Sequence, residues 1–187
     1  MIRELWFPTP IWYDYISFDK DKIIQDCYRM KEINPVGNKL SNVGGWQSKN
    51  ILDLPQFKDF FVAVNNKCEE VYAEIAPNFK GHITNAWINI NGPNCYNKLH
   101  YHARCTFSGC VYLNVEEESG DIAFNTPTLQ EHYPFYVTDN PMFYLKVKYK
   151  PENYKMLLFP AWVSHEVLPS PNAKGDRISI SFNILCD

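Results

Sequence analysis

Three histidines and one arginine carry the chemistry that can be read from this chain. His100 and His102 flank Tyr101, His165 follows the apolar run Met156-Leu157-Leu158-Phe159 and a turn containing Pro160, and Arg177 opens a late alternating segment with Ser179. Neutral imidazoles ligate Fe, Zn, Cu and Ni, and an Arg-x-Ser pair on a strand can hold a small carboxylate. Together they suggest a metal site with an anionic organic cosubstrate.

Residues two apart on a strand share a face and lie roughly 6.5–7 Å apart along it, so His100 and His102 can converge on one ion. Taken alone, the pair fits better with one or both histidines exposed near a strand edge. His165, delivered to a core edge by an apolar strand and a turn, supplies a third imidazole, although by itself it also fits a satisfied core histidine. In the last segment Arg177, Ser179, Ser181 and Asn183 share one face, and Ile178, Ile180, Phe182 and Ile184 share the other. The polar face either meets water or lines a barrel. If it lines a barrel, Arg177 needs an anion, and a dicarboxylate held by Arg177 and a serine hydroxyl satisfies that need.

The elements that must position these groups follow from periodicity. Apolar residues spaced three and four apart predict a helix from Asp19 to Ile33 and a longer one opened by Leu54-Pro55 and running through Phe57, Phe60, Phe61, Val64, Cys68, Val71 and Ile75. Each has one apolar stripe to lay on a sheet. Residues 34–50, rich in Gly, Asn and Ser, read as loop. From Ile83 the period becomes 2, predicting strands at 84–91, 98–103, 109–115, 121–124, 143–147, 155–159, 166–168 and 177–184. Residues 129–140 read as an irregular excursion over a barrel mouth. This order predicts a mainly β fold with flanking helices, a jelly roll, in a single domain. Its helical support spans about residues 1–82 and its jelly-roll core about residues 83–187.

Composition narrows the partners. The 187 residues, 45% of them hydrophobic, can bury one core, and the net charge of −3 disfavours phosphate-driven nucleic-acid binding. No stretch approaches a membrane span and the N-terminus has no apolar leader, so the expectation is a soluble, unexported protein of the cytoplasm. Six cysteines without a CxxC are expected as reduced, mostly buried thiols. His82 and His132 are expected at the surface, and Arg104 at a solvated strand end. Trp46, Trp162, Tyr133, Phe135 and Tyr136 either pack or line a substrate mouth.

The ordered set His100-Tyr101-His102, Val111-Tyr112-Leu113-Asn114, Ser119-Gly120-Asp121-Ile122-Ala123-Phe124, Leu157-Leu158-Phe159, His165-Glu166-Val167 and Gly175-Asp176-Arg177 resembles prolyl-hydroxylase-like 2-oxoglutarate- and Fe(II)-dependent oxygenases. More closely, the chain resembles a bacterial and phage family of such oxygenases. That family shares the Leu5 to Pro10 segment, Trp87-Ile88-Asn89 before the HxH and Ser108-Gly109 after it. The resemblance implies a double-stranded β-helix with Fe(II) at its open end, in the cytoplasm of a bacterial or phage-infected cell. It implies His100 and His165 as ligands, and Arg177, with Tyr112 and Ser179 or Ser181, on the distal carboxylate of 2-oxoglutarate. The implied reaction uses O2 to hydroxylate a small-molecule or protein substrate, with release of succinate and CO2.

One departure stands out. Related enzymes have Asp or Glu two residues after the first histidine, whereas here His102 stands there, and counting from His102 gives Arg104. The simplest expectation is a three-histidine site of His100, His102 and His165, with Asp121, Glu116 or water as the other candidates for the vacant place. Two other functions fit less well. A cupin-type metal dioxygenase without 2-oxoglutarate would carry a Glu between Ala103 and Ser108. A catalytically silent jelly-roll protein would have no reason to keep Arg177 and Tyr112.

Overall fold

The first helix, α1 (Lys20–Ile33), starts where Asp19 accepts a hydrogen bond from the Lys22 backbone N–H and stops at Asn34, the residue before Pro35. It buries Ile23 and Cys27. A short 3-10 turn (Pro55–Phe57) leads into α2 (Lys58–Ile75), which turns Phe60, Phe61, Val64, Cys68 and Tyr72 inward at helical spacing. The computed structural model describes residues 2, 8–75, 78–127 and 144–186.

The strands are β1 (Trp12–Tyr15), β2 (Asn42–Val43), β3 (Trp46–Gln47), β4 (Gly81–Asn91), β5 (Tyr96–His100), β6 (Phe107–Asn114), β7 (Ile122–Asn125), β8 (Lys146–Tyr149), β9 (Lys155–Pro160), β10 (His165–Val167) and β11 (Arg177–Cys186). They form a six-stranded sheet in the order β1-β9-β6-β11-β4-β3 and a five-stranded sheet in the order β2-β5-β10-β7-β8, each neighbouring pair antiparallel. Strands that alternate between two facing sheets make the expected jelly roll. The segment read as loop, 34–50, contains β2 and β3, and β1 was not foreseen at all. The excursion at 129–140, the start of the 143–147 strand, His132, Tyr133, Phe135 and Tyr136 lie outside the described residues.

Strand β11 explains the layering. Ile178, Ile180, Phe182 and Ile184 are fully buried against the helices, in a cluster with Ile88, Val111, Val64 and Cys68. Burying each such side chain contributes about 1.5–3 kcal/mol. Arg177, Ser179 and Asn183 are also buried, on the opposite face between the sheets. The polar face of this strand therefore lines a barrel. A second apolar cluster, with Leu157, Phe159, Phe124 and Val163, closes the floor between the sheets. Gly109 of the Ser-Gly pair sits where a Cβ would run into the Phe182 ring and lie 2.7 Å from the Leu157 carbonyl, so this crowded position admits no side chain. All six cysteines are free thiols, with Cys27, Cys68 and Cys110 buried. Among the described residues no helix is long and apolar enough to cross a membrane.

Candidate metal and cosubstrate site

The three histidines come together at one end of the space between the sheets. Each offers a ring nitrogen, and these nitrogens all lie within 4.8 Å of one another. Ring centroids are 4.4 Å apart for His100 and His165, 5.1 Å for His100 and His102, and 5.2 Å for His102 and His165. His165 begins β10, directly opposite His100 on β5 and Phe124 on β7. His102 corrects one expectation. Strand β5 ends at His100, so the two histidines do not converge through strand period. The chain instead leaves the sheet, the His102 backbone N–H donates to the Ala161 carbonyl at 2.9 Å, and its ring packs against Trp87. Arg104 follows in a turn with φ 62°, exposed and off the strand. His82 is exposed on β4.

Hydrogen bonds fix two of the tautomers. His100 Nδ1 lies 2.7 Å from the Lys98 carbonyl and His165 Nδ1 lies 2.9 Å from the Val163 carbonyl. A carbonyl only accepts, so both Nδ1 atoms carry the proton and each Nε2 keeps its lone pair for a metal. Burial, helped by mutual repulsion, pushes His102 down to about 4 and His165 down to about 3. Burial also lowers His100. All three are neutral at pH 7, as ligation requires.

The metal-free protein should lose stability in acid. Below about 6.5 the unfolded chain takes up protons on His102 and His165 that the folded protein refuses until about 4 and about 3. Stability then falls with pH at up to about 1.4 kcal/mol per pH unit for each such histidine. Thermal denaturation of metal-free protein between pH 7 and pH 5 checks this, with a shallower fall expected for His102→Gln.

Arg177 occupies the same cavity, whose volume is about 410 Å³, and among the described residues it is the one formally charged residue lining it. It is 5% exposed, donates from Nη1 to the Gly120 carbonyl at 2.7 Å, and its Nε has no partner among the described residues. Burial lowers its pKa, opposed by Tyr112, Cys110 and other neighbours. On β6, Tyr112 stands opposite Ser179, and Cys110 opposite Ser181. Burial raises the Tyr112 phenol well above its ordinary value, keeping it a neutral donor. Asp121 acts electrostatically on Arg177 and Tyr112, and neither it nor Glu116 joins the histidine cluster.

Residues 85–183, more than half of the chain, match the family model described as "Putative 2OG-Fe(II) oxygenase". The chain belongs to this family of 2-oxoglutarate- and Fe(II)-dependent oxygenases. Solved structures agree on the fold. A Pseudomonas putida prolyl-4-hydroxylase is 13% identical with a TM-score of 0.66, covering 94% of this chain and 91% of its own. The viral collagen prolyl hydroxylase of Paramecium Bursaria Chlorella virus-1, solved with 2-oxoglutarate, is 16% identical with a TM-score of 0.62, covering 93% and 94%. HygX of Streptomyces hygroscopicus, solved with nickel and 2-oxoglutarate, is 12% identical with a TM-score of 0.58, covering 94% and 82%. No curated protein sequence matches the chain.

This oxygenase is therefore a 2-oxoglutarate-dependent dioxygenase that uses Fe(II) and O2. Its residues fit both groups. Three neutral imidazoles with free lone pairs suit iron, and a buried guanidinium with an unused N–H suits a carboxylate. Sequence reasoning missed several cavity residues. Gln47, Asn85, Asn89 and Asn97 line the same space, and only the Trp87-Ile88-Asn89 motif pointed to one of them. Trp46 packs in the core with its Nε1 donating to the Asn34 carbonyl, while Trp162 stays 52% exposed on its turn.

Proposed function

We propose that this oxygenase hydroxylates a C–H bond of its substrate with His100, His102 and His165 holding Fe(II), and with Arg177, Tyr112, Ser179 and Ser181 holding the distal carboxylate of 2-oxoglutarate. The observation that carries the reading is the pairing, in one cavity, of a neutral histidine cluster with a buried cation that, among the described residues, has an unused donor. When bound, iron and 2-oxoglutarate couple decarboxylation of the keto acid to transfer of oxygen from O2, leaving succinate and CO2.

The chain's own groups have separate tasks in this reading. The Lys98 and Val163 carbonyls hold the His100 and His165 rings in the ligating tautomer. Arg177 orients the dicarboxylate by charge-assisted hydrogen bonds, and Tyr112 donates beside it. Phe159 and Phe124, in ring contact with His165, keep water from that side of the cluster. All of these residues belong to one domain built on the jelly-roll core at about 83–187. The neighbours' ligands span two classes, since a Trichoplax adhaerens prolyl hydroxylase is bound to a peptide fragment and HygX to hygromycin B.

Succinate formation tests the reading. Purified protein with Fe(II), 2-oxoglutarate and O2 is expected to form succinate slowly without added substrate, at a rate abolished by removing iron. Folded, iron-loaded protein that forms none would contradict an active hydroxylase and favour the silent jelly-roll reading, which the missing carboxylate ligand supports.

A further inference from the structure

A five-carbon dicarboxylate is too small to fill the cavity, and the rest of the wall has a chemistry of its own. At the edge of the larger sheet Gln47 on β3 stands directly opposite Asn89 on β4, which in turn stands opposite Ser179 on β11. Directly opposed residues on an antiparallel pair have Cβ atoms about 4.5–5.5 Å apart and point to the same side, so two carboxamides lie next to each other on the inner face. Gln47 lies two strands from Arg177, about 10 Å across the sheet.

The hydrogen bonding of these amides is unequal. Asn89 spends its Nδ2 on Ser181 Oγ at 3.0 Å, which leaves its carbonyl oxygen for the cavity. Gln47 is 5% exposed and lines the cavity, yet neither atom of its side-chain amide has a hydrogen-bond partner among the described residues. Nearby amides are held fixed, with Asn97 Nδ2 donating to Ser41 Oγ at 3.0 Å and Asn183 Nδ2 to Asn85 Oδ1 at 3.1 Å. A ligand that displaces water here must pair with Gln47 or leave a buried donor and acceptor unmatched, at a cost of about 1–3 kcal/mol. With Arg177 the one formally charged residue on the lining among the described residues, a charged group at this end finds no counter-ion among them.

We propose, on the oxygenase reading above, that Gln47 with Asn89 beside it is a specificity element that binds a carboxamide of the substrate. A planar amide presents one donor and one acceptor in the geometry that a free carboxamide matches. Two sources share this chemistry, a primary amide of the asparagine or glutamine type and a backbone peptide bond.

The test uses Zn(II)-loaded, 2-oxoglutarate-bound protein, which is inert to O2, and ligand-observed NMR with N-acetyl-asparagine methylamide, its aspartate isostere and N-acetyl-alanine methylamide. The asparagine probe is expected to bind at least ~10-fold tighter than the aspartate isostere, and Gln47→Leu to remove about that factor. Affinity for 2-oxoglutarate should stay within about twofold, since Arg177 is unaltered. Gln47→Glu, nearly the same shape, repeats the loss if the leucine variant folds poorly. Equal binding of the alanine probe identifies a peptide bond as the source, and binding of the asparagine probe alone identifies the side chain. The proposal is overturned if acid and amide bind alike while the alanine probe binds more weakly, if no probe binds while 2-oxoglutarate does, or if Gln47→Leu weakens 2-oxoglutarate instead. Failure of wild type to bind 2-oxoglutarate would sink the oxygenase reading itself.

Discussion

His102→Ala is expected to weaken Fe(II) binding by at least ~100-fold, since loss of a direct ligand should exceed the 10–100-fold typical of losing a ligand's supporting partner. The variant should fold, because His102 lies off the sheet and is held through its backbone bond to Ala161, which alanine keeps. His82→Ala, at an exposed position on β4, should change nothing. Competition with a chelating fluorophore measures both. A three-imidazole site leaves the ion its full charge, so the dianionic cosubstrate should tighten iron binding, and iron should tighten cosubstrate binding by the same factor. Without a hard oxygen ligand, Ni, Cu and Zn should also compete with iron more strongly. Unchanged iron affinity in His102→Ala would leave only two protein ligands and reopen the search for the third.

Arg177→Met should separate two effects that usually travel together. The buried guanidinium uses Nη1 on Gly120 and leaves Nε unpaired, so without cosubstrate it is a poorly compensated charge. Replacing it with an apolar side chain of similar reach is therefore expected to leave the thermal stability of the empty protein unchanged or raised. Binding of 2-oxoglutarate should fall by about 2–5 kcal/mol, or ~30-fold or more, because the distal carboxylate loses its counter-ion in a dry pocket. The stabilisation that 2-oxoglutarate gives the iron-loaded wild type should vanish. A variant that unfolds, or one stabilised by 2-oxoglutarate as wild type is, would contradict the assignment.

Much of this site was legible because it depends on local pattern. The alternation at Arg177 to Ile184 set two faces, and three histidines with the same ordered neighbours as known oxygenases marked the metal end. Which way the polar face pointed was not legible, since a strand carries no record of what covers it. The helices that cover Ile178, Ile180 and Phe182 force Arg177 and Ser179 inward. His102 was misplaced because strand period was extended past His100, whereas Arg104 with its positive φ shows the chain already turning. Gln47 was hidden for a related reason. The two-residue strands β2 and β3 exist only through pairing with β5 and β4, more than forty residues away, and Gly, Asn and Ser around them read as loop.

Anaerobic calorimetry of 2-oxoglutarate with Fe(II)-loaded protein, run on wild type and Arg177→Met with iron content verified in both, tests the central claim most directly. Iron-dependent binding in wild type, lost in Arg177→Met while iron remains bound, is the predicted result. Absence of binding in iron-loaded wild type, or equal binding in the two proteins, would contradict the proposed site.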